Sequence, residues 1–168
     1  WWWYLNDNKE MEGHYVDGRK NGIWTWWFDS GVKQSEGHYV DDEQDGLWSY
    51  FSKDGSVAEE ITFSGGKRDG RSTVWLTPEE KQEEKFYRNG KLDGPSTFWE
   101  NGYRSTMTTY KSDSPEGPWV IWFSNSDQIK EQGFHQKGIR EGLTTYYYED
   151  GTMQREGFFK EGLPDGMW

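Results

Sequence analysis

Gly22-Ile-Trp-Thr-Trp-Trp-Phe28, Asp29-Ser-Gly31 and Val32-Lys-Gln-Ser-Glu-Gly-His-Tyr-Val40 form two aromatic and β-branched runs separated by turn residues. That alternation of extended and reversing chemistry is the pattern of a β-hairpin. Residues 41–45 then lead to Gly46, where the same pattern starts again as Gly46-Leu-Trp-Ser-Tyr-Phe51.

The restart recurs along the whole chain. A glycine preceded by Asn, Asp or Glu opens a short run, usually aromatic, at Gly22, Gly46, Gly70, Gly94, Gly117, Gly142 and Gly166, with intervals of 24, 24, 24, 23, 25 and 24 residues. A fixed period of this length marks a repeat architecture, in which each unit packs on its neighbours. The expected fold is all-β: an elongated antiparallel meander or solenoid of seven 24-residue hairpin repeats, coiled or twisted, forming one array over residues 1–168. The seven glycines are read as turn glycines. Asp54-Gly55, Asn89-Gly90, Asn101-Gly102 and Asp150-Gly151 supply further reversals, since such pairs tolerate positive φ. The one-residue loss near Glu100-Asn-Gly102 and the gain between Ser124 and Gln132 begin in or beside expected loops, where length changes are tolerated.

Rings occupy fixed places in the repeat. Five residues after each glycine stand Trp27, Phe51, Trp75, Trp99, Trp122 and Tyr147, and seven before stand Tyr15, Tyr39, Phe63, Tyr87, Tyr110, His135 and Phe159. These rows are the expected repeat core, stacked as cross-strand ladders. The fourth positions, among them Trp26, Tyr50 and Phe98, fall on the opposite face because successive strand residues alternate. Apolar material on both faces calls for a sheet that coils, with a partner molecule covering what remains.

Composition agrees with a folded chain. The 12 Trp, 10 Tyr and 9 Phe separate it from disordered sequences of similar charge. A net charge of −11 disfavours nucleic acid and anionic membrane surfaces as partners. No apolar run has the length of a membrane-spanning helix, and no membrane insertion is expected. With no cysteine there is no disulfide or thiol chemistry.

The recurring pattern resembles the MORN repeats, and most of all the bacterial variant found in antitoxin or immunity proteins of toxin–antitoxin systems. Asp45-Gly-Leu-Trp-Ser-Tyr-Phe51, Tyr87-Arg-Asn-Gly-Lys-Leu-Asp-Gly94 and Glu141-Gly-Leu-Thr-Thr-Tyr-Tyr-Tyr148 carry the likeness, which covers essentially the whole chain. Asp42 and Asp113 depart from it where a glycine is expected, and the stretch from Arg71 to Arg88 lacks the mid-repeat glycine. The resemblance implies hairpin repeats in an extended sheet, protein-binding or assembly roles, and no catalytic residues. Trp3-Tyr-Leu-Asn-Asp7 is also similar to choline-binding repeats, whose spacing fits less well.

The termini divide one repeat. Gly166-Met-Trp168 begins a strand that Trp1-Trp-Trp-Tyr4 would continue, since Trp2, Trp3 and Tyr4 align with Trp26, Trp27 and Phe28. Uncapped edges of this kind pair with other chains. Trp1, Trp2, Trp3, Tyr4, Met167 and Trp168 are therefore the expected assembly interface, either between copies joined head to tail or within a longer array of the same repeats.

Reactive chemistry is sparse. His14 and His38 share one repeat position and His135 replaces a ring, so neither a nucleophilic triad nor a histidine metal site is read. Asn21, Asp45, Asp69, Asp93, Glu116, Glu141 and Asp165 precede the repeat glycines and are read as turn residues bonding nearby backbone. Asp41-Asp-Glu-Gln-Asp-Gly46 resembles the start of a calcium loop but has Ser52 where the closing Glu belongs, which leaves calcium a weak reading and no other cofactor.

The expected function is a non-enzymatic structural scaffold that self-associates head to tail, as a filament or part of a longer array. The alternatives are an immunity-type module that neutralises a toxin, and a glycan-binding surface. Its partner is then itself or another protein, with an extracellular or cell-surface setting for a filament and a cytoplasmic one for an immunity protein.

Overall fold

The computed structural model describes residues 2–166, and those residues are strand and turn throughout, with no helix. The expected residues Trp1, Met167 and Trp168 lie outside the described ones. In chain order the strands are β1 (Trp2–Trp3), β2 (Lys9–Val16), β3 (Arg19–Trp27), β4 (Lys33–Val40), β5 (Glu43–Phe51), β6 (Val57–Ser64), β7 (Lys67–Thr77) and β8 (Glu80–Arg88). They continue as β9 (Lys91–Glu100), β10 (Tyr103–Lys111), β11 (Ser114–Trp122), β12 (Ile129–Gln136), β13 (Ile139–Tyr147), β14 (Met153–Lys160) and β15 (Leu163–Asp165). Each lies beside the next in a 15-stranded meander, the all-β hairpin array that the 24-residue period predicts. By packing, the chain divides into two compact units. One holds the residues up to Glu80 with Tyr87–Gly90, and the other holds Lys81–Phe86 with the residues from Lys91 on.

Two kinds of reversal alternate. A two-residue turn joins β2 to β3 at Asp17-Gly18, β4 to β5 at Asp41-Asp42, β6 to β7 at Gly65-Gly66 and β10 to β11 at Ser112-Asp113. Both residues of these turns have positive φ, which matches the right-handed twist of the strands they join. Asp42 and Asp113 thus take the glycine's place by adopting a φ of 71° themselves. The other reversal is longer, as at residues 28–32, where Phe28 N–H donates to the Val32 carbonyl at 2.8 Å. It lengthens at 123–128, where the sequence gains a residue, and shrinks to Asn101-Gly102, where one is lost.

Six of the seven repeat glycines, Gly22 to Gly142, lie within strands and not at the turns the sequence pattern predicts, while Gly166 follows β15. Gly22 lies within β3 and Gly46 within β5, away from any chain reversal. The register explains why. Glu12 pairs with Thr25 and His14 with Asn21, so Gly22, Ile23 and Trp24 together oppose the single residue Gly13. The same offset recurs in β5 and β13. Each such glycine is the positive-φ residue of a β-bulge, at 77° for Gly22 and 73° for Gly46, and a bulge of that kind needs glycine.

Burial follows the bulge. Trp24 and Trp48, two residues after their glycines, are fully buried. A Cβ built on Gly13 would lie 2.1 Å from the Trp24 indole, and one on Gly37 would lie 2.2 Å from that of Trp48, so each ring fills the space its neighbour strand leaves empty. The rows expected to form the core are mostly half-buried, Trp122 being buried and Tyr15 exposed.

Candidate binding surface

Alternation sorts the side chains onto two faces. On one, rings form a continuous ladder from Trp2 through Tyr15, Trp24, Trp26, Tyr39 and Trp48 to Tyr50 and Phe63. Tyr15 stands edge-on to Trp24 at 5.0 Å and 86°, and Tyr39 stands edge-on to Trp48 at 5.0 Å and 83°, the arrangement that ring quadrupoles favour. The indole N–H of Trp24 donates to the His14 carbonyl and that of Trp48 to the His38 carbonyl, at 3.2 and 3.1 Å. Burial raises the Tyr39 phenol above the ordinary tyrosine range, with smaller contributions from Tyr50 and Asp42.

Lysine 20 enters this ladder. Its ammonium lies 4.7 Å from the Trp24 ring centre, 5.3 Å from Trp26 and 5.0 Å from Tyr39, each within cation–π range. Arg140 takes the equivalent place in a later repeat, 4.4 Å over Trp119, and Arg68 lies 5.3 Å over Tyr87.

The opposite face carries a second periodic motif, not read from the sequence. Lys9, Lys33 and Lys81 each bridge the glutamate three residues on, Glu12, Glu36 and Glu84. Each also covers a ring of the following repeat: Trp27 at 5.5 Å, Phe51 at 5.7 Å and Trp99 at 5.4 Å. The Lys33 hydrogen bond, with help from the Thr25 hydroxyl, holds the Glu36 carboxyl below the ordinary range despite partial burial. The signal was available as Lys-x-x-Glu in phase with the glycines. On this face Ile23 and Leu47 are exposed in the first unit, and Phe134, Leu143 and Phe158 are exposed in the second.

The acidic residues before the glycines act across repeats. Asp69, Glu116 and Glu141 accept from the turn N–H groups of Asn89, Lys137 and Glu161, at 3.0, 2.7 and 2.8 Å. Asp42 and Asp113 reverse the direction, their carboxylates accepting from Lys20 N–H and Leu92 N–H at 2.8 Å. Asp41-Asp42 is thus a hairpin turn, and among the described residues no group of three or more His, Asp or Glu is arranged to hold a metal ion.

Trp119 departs from Trp24 and Trp48. Thr108 pairs with it where they face glycine, and its indole lies instead over Gly133 of β12, within 2.7 Å of a Cβ built there. The Trp119 Nε1, His135 Nδ1 and Thr144 Oγ1 atoms are buried there without a hydrogen-bond partner. Burial holds His135 below the ordinary histidine range, and Arg140 adds to the effect.

Each two-stranded unit therefore starts two residues before its bulge glycine and ends at the next tight turn. Three stretches of the chain match the MORN repeat variant. They are residues 20–41, 44–64 and 140–161, and each begins at the residue that precedes the bulge glycine by two: Lys20, Gln44 and Arg140. MORN repeats are structural or binding modules and generally non-catalytic. No curated protein matches the chain. Of the expected assembly residues, Trp2 and Trp3 form β1, exposed by 39% and 55%, and the Tyr4 hydroxyl donates to the Trp27 carbonyl at 2.9 Å.

Proposed function

We propose that this chain is a non-enzymatic scaffold that binds another protein along its repeated sheet surface. One observation carries the reading. Exposed apolar residues recur in phase with the bulge glycines, with Ile23, Leu47 and Leu143 each one residue after its glycine. Across from Leu143 stands Phe158, also exposed, with which it pairs. Exposed apolar residues at such recurring places, one of them beside a second exposed ring, mark an interaction surface. The MORN-variant match supports a binding role, and the net charge of −11 favours a basic partner. Probing an array of fifteen-residue peptides of varied sequence tests it. The wild-type chain should bind a subset, and a Leu143→Glu, Phe158→Glu variant of unchanged circular dichroism should lose them. No binding above that variant would overturn the proposal.

A second reading, edge-to-edge association of copies, is favoured by Trp2 and Trp3, exposed on a strand paired with β2. Sedimentation velocity should then show concentration-dependent association that Trp3→Glu abolishes. A single non-associating species across the accessible range would remove this reading.

A further inference from the structure

We infer that Trp48, Tyr50 and Phe63 form an aromatic cage for a lysine side chain of the bound protein. The inference rests on the protein-binding reading above and adds one contact on the ring-ladder face, the face opposite the exposed apolar residues. Lys20 supplies the template. In its cage Trp24 and Trp26 lie 5.7 Å apart at 30°, with Tyr39 standing across Trp24 at 6.2 Å and 83°. One repeat later Trp48 and Tyr50 lie 6.2 Å apart at 32°, with Phe63 across Trp48 at 6.4 Å and 79°. The rings thus repeat in spacing and angle, with Tyr50 in place of Trp26 and Phe63 in place of Tyr39.

The residue among them does not. Lys20 pairs across the strands with Tyr15, and Gln44 holds the corresponding place opposite Tyr39. The later cage therefore contains a neutral amide where the earlier one contains an ammonium. Gln44 Nε2 makes only a long 3.4 Å bond to the Tyr50 hydroxyl, so little holds it in place. Trp48 is buried beneath it, while Tyr50, Phe63 and Gln44 remain half-exposed, which leaves the way in at Gln44.

Charge selects the occupant. Glu59 pairs directly with Tyr50 across β5 and β6, and its carboxylate lies 4.0 Å from Arg68, which itself pairs with Phe63 across β6 and β7. A cation entering at Gln44 would meet the three rings, in a chain of net charge −11. Lysine is the form of cation the template cage already holds.

Nuclear magnetic resonance of the indole N–H groups tests the inference, with Nα-acetyl-lysine amide as the probe and its norleucine counterpart as control. Saturable shifts are expected at Trp48, with at least a fivefold weaker response to norleucine. Gln44→Lys should fill the cage internally and abolish the response, whereas Lys20→Gln should open a second site reported by Trp24. Equal shifts with norleucine, or an unchanged response in Gln44→Lys, would overturn the cage. Array peptides that bind equally well after Lys→norleucine replacement would also overturn it while leaving the scaffold reading intact. Loss of all array binding, with a normal lysine response at Trp48, would instead remove the scaffold reading alone.

Discussion

The Trp48 indole occupies the space that a side chain on Gly37 would need, with Cδ2 2.2 Å from the position a Cβ would take. Large and small are thus matched across β4 and β5, and neither residue is replaceable alone. Gly37→Ala should destabilise the chain by about 1–3 kcal/mol, the usual cost of overfilling a packed site. Trp48→Ala should cost about 3–5 kcal/mol. The double variant should lose less than the sum, because the alanine methyl then enters a space the indole has vacated. Urea denaturation of the four proteins closes the cycle, and strict additivity would show that the two residues do not share this space.

At Asp42, backbone conformation outweighs side-chain identity. With φ at 71°, Asp42→Gly should change stability by no more than about 1 kcal/mol, the lost bond to Lys20 N–H being offset by easier backbone geometry. Asp42→Val should cost about 2 kcal/mol or more, since a branched side chain is poorly accommodated there. Thermal unfolding of both variants separates these outcomes.

Acid stability should depend on Glu36. Its folded carboxyl titrates below the ordinary value, chiefly through the Lys33 hydrogen bond, so it contributes stability above the unfolded pKa of about 4.3. That contribution is lost as pH falls through the folded value. Unfolding midpoints between pH 3 and 6 should fall less steeply for Glu36→Gln than for the parent protein. Because the pair is partly solvated, the difference should stay below about 1 kcal/mol.

His135 acts in a different window. Its folded pKa lies below the ordinary value of about 6.5, so the unfolded chain takes up a proton first and stability declines as pH drops below about 6.5. The decline ends once pH passes the folded pKa. His135→Phe restores the ring found at this place in other repeats, and should flatten the stability profile between pH 5 and 7. An unchanged slope would show that Trp119 and Arg140, which face the imidazole, do not bias its protonation.

The hairpin array could be read from residues, because turn pairs such as Asp54-Gly55 and Asp150-Gly151 and the alternating rings report local geometry directly. The role of Gly22 could not. Asn21-Gly22 has the composition of a tight turn, and only the pairing of Glu12 with Thr25 and His14 with Asn21 reveals a bulge. The true core was missed for a related reason. Trp24 and Trp48 recur in phase, but Ser72, Ser96 and Thr144 stand at the same place, so the column looks variable while burial there is constant. A search for tryptophan eleven residues after glycine would have found Gly13–Trp24 and Gly37–Trp48. The cage around Lys20 depends on ring angles that no linear pattern encodes.

The tight turns also bond backward. Asp42 N–H donates to the Lys20 carbonyl and Gly66 N–H to that of Gln44, while Gly138 N–H and Gly162 N–H reach Pro115 and Arg140. Each of these hairpin tips is thereby latched to the module made before it in translation. Within each compact unit the emerging chain can secure these tips against a completed predecessor, so assembly there can keep pace with the ribosome.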